Sequence, residues 1–421
     1  MRLPNCHNCT QAAAAVVALG LAPLGRLHAQ AELAPSSTNL CNPVILDVSI
    51  VASWQQRLAA GKQAQPPGIV GPSGFDWSDT QLGVVKSRDG VHYLFFGSDG
   101  SCHGHCGTSQ ERDGSITRTA GSLDNPLGSG PPLETILPQG CQFGENSVIY
   151  VGGGPVRRVP LGHPGAGNLL MVYTAARWTD PVSQTGNYGL TGLAKSTDEG
   201  YTWTDLGFII TANVPFQPGA PPSVNEYDSG LGNLVPDASG EYFYYYFPDK
   251  VETADGGTAD TFFSVARVPM DALLHAAFDC DPPGALPPFQ KYYQAAWDQP
   301  GLGGLSTSVL NPDSIAGDPV VIWSDYLKRY AVIFDDTGTI SYADSPDGIN
   351  WPPAVALQTV SSNVGLVLYA VPVGITGDPN IIGKEFYIFY TYYSSPTQPG
   401  GGWPGASVQR LDVQCQDKSA R

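Results

Sequence analysis

Ser196-Thr197-Asp198-Glu199-Gly200-Tyr201-Thr202-Trp203 reads as a tight turn closed by an aromatic anchor. An Asp placed just after a Ser can accept hydrogen bonds from the backbone N–H groups of its own turn. A Gly within the turn tolerates the left-handed backbone that such a bend demands. The Trp that follows supplies a large apolar surface to bury beside the hairpin. A shorter form recurs at Ser345-Pro346-Asp347-Gly348-Ile349-Asn350-Trp351. These residues are folding devices, and none is a candidate for chemistry.

Working outward from these turns, short apolar strands recur in five similar units. The first has Leu82-Gly83-Val84-Val85, the hairpin turn Asp89-Gly90, and His92-Tyr93-Leu94-Phe95-Phe96. Asp-Gly between apolar runs is a strong hairpin signal. The second has strands over 147–150, 169–173 and 189–194, and the third over 231–235, 242–247 and 261–268. The fourth covers 319–323, 330–334 and 339–343, and the fifth 369–375, 385–392 and 406–413. Helical periodicity is confined to 50–60 and 270–277. Regular short strands with turn signals predict an all-β fold, and five similar units predict a five-bladed β-propeller. The stretch 282–311 departs from this grammar, being Pro/Gly-rich and carrying Phe289, Tyr292, Tyr293 and Trp297. It reads either as a sugar-stacking wall or as a loop packing its rings on blade edges.

Composition agrees with many turns between many strands: 50 Gly and 37 Pro in 421 residues, with 42% hydrophobic and only 14% charged residues. The net charge of −17 argues against a nucleic-acid or anionic-membrane partner. Residues 1–31 read as an export signal, with Arg2 ahead of an Ala/Val/Leu-rich run and Ala29-Gln30-Ala31 as the cleavage pattern. That leaves one propeller domain over 32–421, secreted or periplasmic. Of eight Cys, Cys6 and Cys9 fall in the signal, leaving Cys41, Cys102, Cys106, Cys141, Cys280 and Cys415. Three disulfides are expected, with connectivity open. Cys41 and Cys415 flank the folded region, and a closed ring brings its ends together, so these two are expected to pair. The spacing in Cys102-His103-Gly104-His105-Cys106 departs from common zinc patterns and reads as a disulfide-pinned loop.

The turn at Ser196–Trp203 matches the Asp-box of sialidases and related propellers. A cluster of arginines, which a sialidase needs around a carboxylate, is missing. The wider pattern resembles the five-bladed glycoside hydrolase propellers, among them arabinanases, β-xylosidases, invertases and levansucrases. It rests on Leu169-Leu170-Met171-Val172-Tyr173 followed by Gly192-Leu193-Ala194-Lys195-Ser196, and on Ile340-Ser341-Tyr342-Ala343-Asp344-Ser345. The opening resembles secreted bacterial propellers related to endo-D-arabinanases at Thr80-Gln81-Leu82-Gly83 and Phe95-Phe96-Gly97-Ser98-Asp99. Gln81 and Ser98 stand where that family carries acids, with Asp79 and Asp99 alongside.

The resemblance implies glycosidic-bond hydrolysis by two carboxyl groups, one protonating the leaving oxygen and one acting as base or nucleophile. In those hydrolases the acids precede the first strands of successive blades. The candidates are Asp79 with Asp76 in blade one, Glu145 in blade two, Asp228 with Glu226 in blade three, and Asp313 with Asp318 in blade four. Blade five offers only Tyr369. Crowded carboxyls raise one another's pKa, so one can stay protonated beside an ionised neighbour. We expect Asp79 as base or nucleophile, Glu145 as general acid and Asp228 as the acid that tunes the pair, with Glu226 the rival acid. Second-strand ends carry Asp99, Arg177-Trp178, Asp249 and Asp335-Asp336. Asp99, Arg177, Trp178, Glu226, Asp249 and Asp313 are the expected substrate contacts. No redox cofactor is implied, and calcium is the metal that a set of axial acids would suit, through its preference for hard oxygen ligands. A polysaccharide or oligosaccharide is the expected partner, and a non-catalytic carbohydrate-binding propeller is the alternative.

Overall fold

A computed structural model describes residues 38–63, 80–99, 115–136, 148–180, 185–216, 230–249, 262–279, 283–310, 317–336, 338–361, 363–394 and 406–417. Five sheets are present. Blade one comprises β2 (Gly83–Lys86), β3 (Tyr93–Asp99), β4 (Ser115–Gly121) and β5 (Leu133–Ile136). Blade two comprises β6 (Val148–Arg158), β7 (Leu169–Asp180), β8 (Thr185–Ser196) and β9 (Thr204–Thr211). Blade three runs β10 (Asn233–Pro236), β11 (Tyr242–Asp249), β12 (Phe262–Pro269), β13 (Gln290–Tyr293) and β14 (Ala296–Pro300). Blade four has β15 (Gly317–Ser324), β16 (Arg329–Asp336), β17 (Thr339–Ser345) and β18 (Val355–Thr359), with β20 (Ile381–Ile382) added parallel to β15.

Blade five is assembled from both ends of the chain: β19 (Gly365–Gly374), β21 (Glu385–Ser394), β22 (Ser407–Asp417) and, outermost, β1 (Cys41–Ala52). β1 pairs antiparallel with β22, and a Cys41–Cys415 disulfide joins the pair across a sequence separation of 374. The expected pairing of these two cysteines is therefore present. Cys102, Cys106, Cys141 and Cys280 lie outside the described residues. Asp344 of blade four receives the Leu40 and Cys41 backbone N–H groups and the Arg329 guanidinium, which anchors the start of β1. Replacing Cys41 and Cys415 by Ala is expected to lower stability by about 2–4 kcal/mol, read from urea unfolding. An unmoved midpoint would show that strand pairing alone closes the ring.

Five apolar cores fill the interfaces between successive blades. Blades one and two share Phe96, Ile116, Met171 and Trp203; blades two and three share Leu170, Val172, Phe243 and Tyr245. Tyr246, Phe263, Val332 and Trp351 join blades three and four, and Ile333, Tyr342, Ile388 and Leu411 join four and five. Val84, Phe95, Val371 and Phe389 complete the circle between five and one. This closure makes the fold a five-bladed β-propeller. Helices α1 (Trp54–Gly61) and α2 (Met270–Phe278) occur where helical periodicity was read, although β1 occupies the residues up to Ala52.

The two opening turns behave as their composition dictates. Asp198 accepts from the Thr202 N–H and hydroxyl at 2.9 and 2.7 Å, and Gly200 has φ +80°. A Cβ at Gly200 would stand 2.3 Å from the Phe96 ring, whose edge meets Trp203. Asp347 accepts from the Ile349 and Asn350 N–H groups at 2.9 and 2.8 Å, while Trp351 packs on Tyr246 and Phe263. Each turn thus plants its Trp on the preceding blade.

Within the aromatic stretch, 290–293 and 296–300 are blade strands. β13 and β14 extend blade three outward, Phe289 is buried, and Trp297 stacks on Tyr244 at 5.5 Å between centroids. Of the two readings, packing on a blade edge is the one realised by Phe289, Tyr292 and Trp297.

Candidate functional site

First strands β2, β6, β10, β15 and β19 surround the axis. Leu82, Gly83, Val84, Val156, Asn233, Val320, Val321 and Val371 line a cavity of about 20 Å³ there, room for about one water. Pro379 and Asn380 line it as well, and Asn380 donates to the Val84 carbonyl at 3.3 Å. No sugar ring fits so small a space. The other end of the axis, where first strands begin and second strands finish, is the mouth.

Side chains stitch the mouth from blade to blade. Thr80 donates its hydroxyl to the Gly153 carbonyl of blade two. Gln81 gives its amide to the Leu231 carbonyl ahead of blade three at 3.1 Å. Asn233 donates to Val321 O at 2.6 Å and accepts from Val321 N at 2.9 Å, tying blade three to blade four. Asp335 accepts from the Ala370 N–H at 2.9 Å, tying blade four to blade five. Buried polar groups need partners, and here the partners are neighbouring first strands, so the rim is fixed by hydrogen bonds as well as by apolar packing.

The expected catalytic acids Asp79, Glu145 and Asp228, and the expected contacts Glu226 and Asp313, lie outside the described residues. Asp79 is covalently followed by Thr80, whose contact with Gly153 is given above. Asp99, Arg177 and Trp178 are strand residues at the mouth ends of β3 and β7, opposite Ser115, Tyr188 and Asn187. Asp249 departs from expectation. It is fully buried at the end of β11, where it accepts from the Lys291 ammonium at 2.8 Å and the Ser306 hydroxyl at 2.7 Å. Its carboxylate holds β13 against blade three and is withdrawn as a substrate contact.

Asp335 is the mouth carboxyl that sequence reading undervalued. It is 2% exposed, and burial pushes its pKa up to about 7, against the Ala370 and Tyr369 N–H groups that favour the charge; Asp336 adds to the rise. Its signal in sequence, an Asp-Asp pair at a second-strand end, is shared by ordinary surface turns. Below about pH 3.8 this group is protonated in folded and unfolded chains alike. As pH climbs towards 7 the unfolded chain ionises first, so stability falls and the loss is complete above about pH 7. Asp335→Asn is expected to flatten this part of the pH–stability curve, measured by urea unfolding between about pH 4 and 8. An unaltered slope would assign the dependence to other groups. Among the described residues, no group of three or more His, Cys, Asp or Glu is arranged to hold a metal. Among the same residues no helix is long and apolar enough to cross a membrane.

The closed ring and its stitched mouth define the class, a five-bladed propeller. No family model and no curated protein matches the chain. Solved structures similar to it include a family 117 glycoside hydrolase of the marine bacterium Zobellia galactanivorans, at 12% identity over 81% of this chain and 88% of that one, with TM-score 0.43. An alpha-L-arabinofuranosidase from Lactobacillus brevis shares 11% identity over 80% and 90%, with TM-score 0.43. The catalytic domain of a Coprinopsis cinerea GH62 alpha-L-arabinofuranosidase shares 11% over 80% and 91%, with TM-score 0.38.

Proposed function

We propose that the protein is a secreted glycoside hydrolase acting on a furanoside- or pentose-containing polysaccharide at the propeller mouth. The observation that carries this reading is the shared rim. The first strands of all five blades surround one axis, and side chains of blades one, three and four bond across to their neighbours. The segments bearing Asp79, Glu145, Asp228 and Asp313 each lead directly into one of these strands.

In this reading Glu145 protonates the glycosidic oxygen as it leaves. Asp79 activates water or attacks the anomeric carbon, and Asp228 tunes the pair. A separation of about 5–5.5 Å between the two working carboxyls gives retention, and about 6.5–9.5 Å gives inversion. Asp99, Arg177, Trp178, Glu226 and Asp313 contact the sugar around them. Arg177 suits hydroxyl or carboxylate recognition and Trp178 suits stacking on a sugar face.

One observation favours the alternative, a non-catalytic carbohydrate-binding propeller. Gln81, where the resembled family carries an acid, is fully buried and spends its amide on a backbone carbonyl. Release of reducing sugar from arabinan, xylan and fructan panels separates the readings. Hydrolysis of a pentose polymer supports the enzyme, whereas binding without hydrolysis selects the alternative and absence of both removes carbohydrate from the account.

A further inference from the structure

Gly83, Asn233, Val320 and Val371 line the axial cavity and occupy one rung of their blades, paired with Phe96, Tyr246, Ile333 and Phe389 on the second strands. Two residues earlier in each chain segment stand Gln81, Leu231, Asp318 and Tyr369. Three of these four hold left-handed backbone without being glycine: Leu231 at φ +56°, Asp318 at +45° and Tyr369 at +60°. Irregularities in strand register accompany two of them, between Gly317 and Val320 and between Leu368 and Val371. Such conformations are strained for a residue with a Cβ and persist only where the surroundings over-determine them.

At Tyr369 the determinant is visible. Asp335, on the second strand of blade four, accepts the N–H groups of both Tyr369 and Ala370, the latter at 2.9 Å. Ala370 is buried, whereas Tyr369 stays partly exposed on the rim. A phenol offers an apolar face and a hydroxyl together, which suits a sugar ring. Blade four has Asp318 on the same rung, while blade five carries no acid there.

We infer that Asp335 is a positioning residue, clamping the strained Tyr369–Ala370 irregularity within β19 so that Tyr369 serves as the saccharide contact of blade five. The clamp stands on its own geometry, whereas the saccharide role rests on the glycoside hydrolase reading. The test uses the full chain with Asp335→Ala, Asp335→Asn, Tyr369→Ala and Tyr369→Phe. Hydrogen exchange at the 369 and 370 amides should quicken about tenfold or more in Asp335→Ala and be largely restored in Asp335→Asn, whose amide oxygen still accepts. On arabinan, Asp335→Ala and Tyr369→Ala should raise KM about tenfold with kcat within about threefold, the signature of lost uniform binding, and Tyr369→Phe should recover part of it. Unchanged exchange in Asp335→Ala overturns the clamp whatever the activity. An active wild type with KM unmoved in Tyr369→Ala overturns the saccharide role and leaves the hydrolase reading intact. A wild type that neither cleaves nor binds arabinan, xylan or fructan removes that reading and the Tyr369 role together, and the exchange result still decides the clamp.

Discussion

Asp79→Asn and Glu145→Gln are each expected to lower kcat on a pentose polymer by about 10²–10⁴-fold, the range for losing one positioned acid or base. The two losses should differ in kind. A substrate whose leaving group departs without a proton bypasses the general acid, so Glu145→Gln should keep most of its rate on an aryl glycoside bearing a good leaving group. Asp79→Asn should fail on both substrates, because water or the anomeric carbon still needs its base or nucleophile. In the pH profile, the alkaline limb belongs to the acid and the acidic limb to the base, and each variant should erase one limb. Equal losses on both substrates would exchange the roles or point to Glu226. Full activity in both variants would remove Asp79 and Glu145 from the chemistry.

Lys291→Met carries the largest expected effect on stability. The ammonium is fully buried and donates to Asp249 at 2.8 Å, to the Thr211 carbonyl of blade two at 2.8 Å, and to the Gly304 carbonyl at 2.9 Å. All three donors are used, and they tie β13 to two blades at once. Removing the cation strands Asp249, one of whose oxygens already lacks a partner among the described residues. Breaking such a buried pair from one side costs about 3–5 kcal/mol. The double variant Asp249→Asn/Lys291→Met should recover part of that loss, because the uncompensated charge is gone. Urea unfolding of the two variants and the wild type measures both numbers. A loss below about 1 kcal/mol for Lys291→Met would mean that the hairpin is held by its rings alone.

What was legible in the sequence was local. Ser196–Trp203 and 345–351 declare themselves because Asp, Gly and Trp each do one short-range job there. Cysteine position foretold the closure of blade five, yet β1 did not read as a strand. Its Leu46, Val48 and Ile50 alternate with Asp47 and Ser49, yet they are 57%, 49% and 62% exposed, so the apolar face of this strand is its solvent face and no burial marks it. β13 was equally opaque, since Gln290-Lys291-Tyr292-Tyr293 buries a lysine whose acceptors come from residues 211, 249 and 304. Tyr369 and Asp318 adopt positive φ with no glycine to announce it, and Asp335 is indistinguishable from a solvated turn acid until blade five is laid against it. Long-range partners decide these positions, and a sequence lists residues without their partners.

A crystal structure of the Glu145→Gln variant soaked with an arabino-oligosaccharide would show whether the acids of separate blades converge on one sugar. The sugar is expected at the mouth, flanked by Asp79 and the residue-145 side chain, with their terminal groups about 5–10 Å apart. Those two side chains on opposite faces of the propeller, or a sugar bound away from the axis, would contradict that convergence.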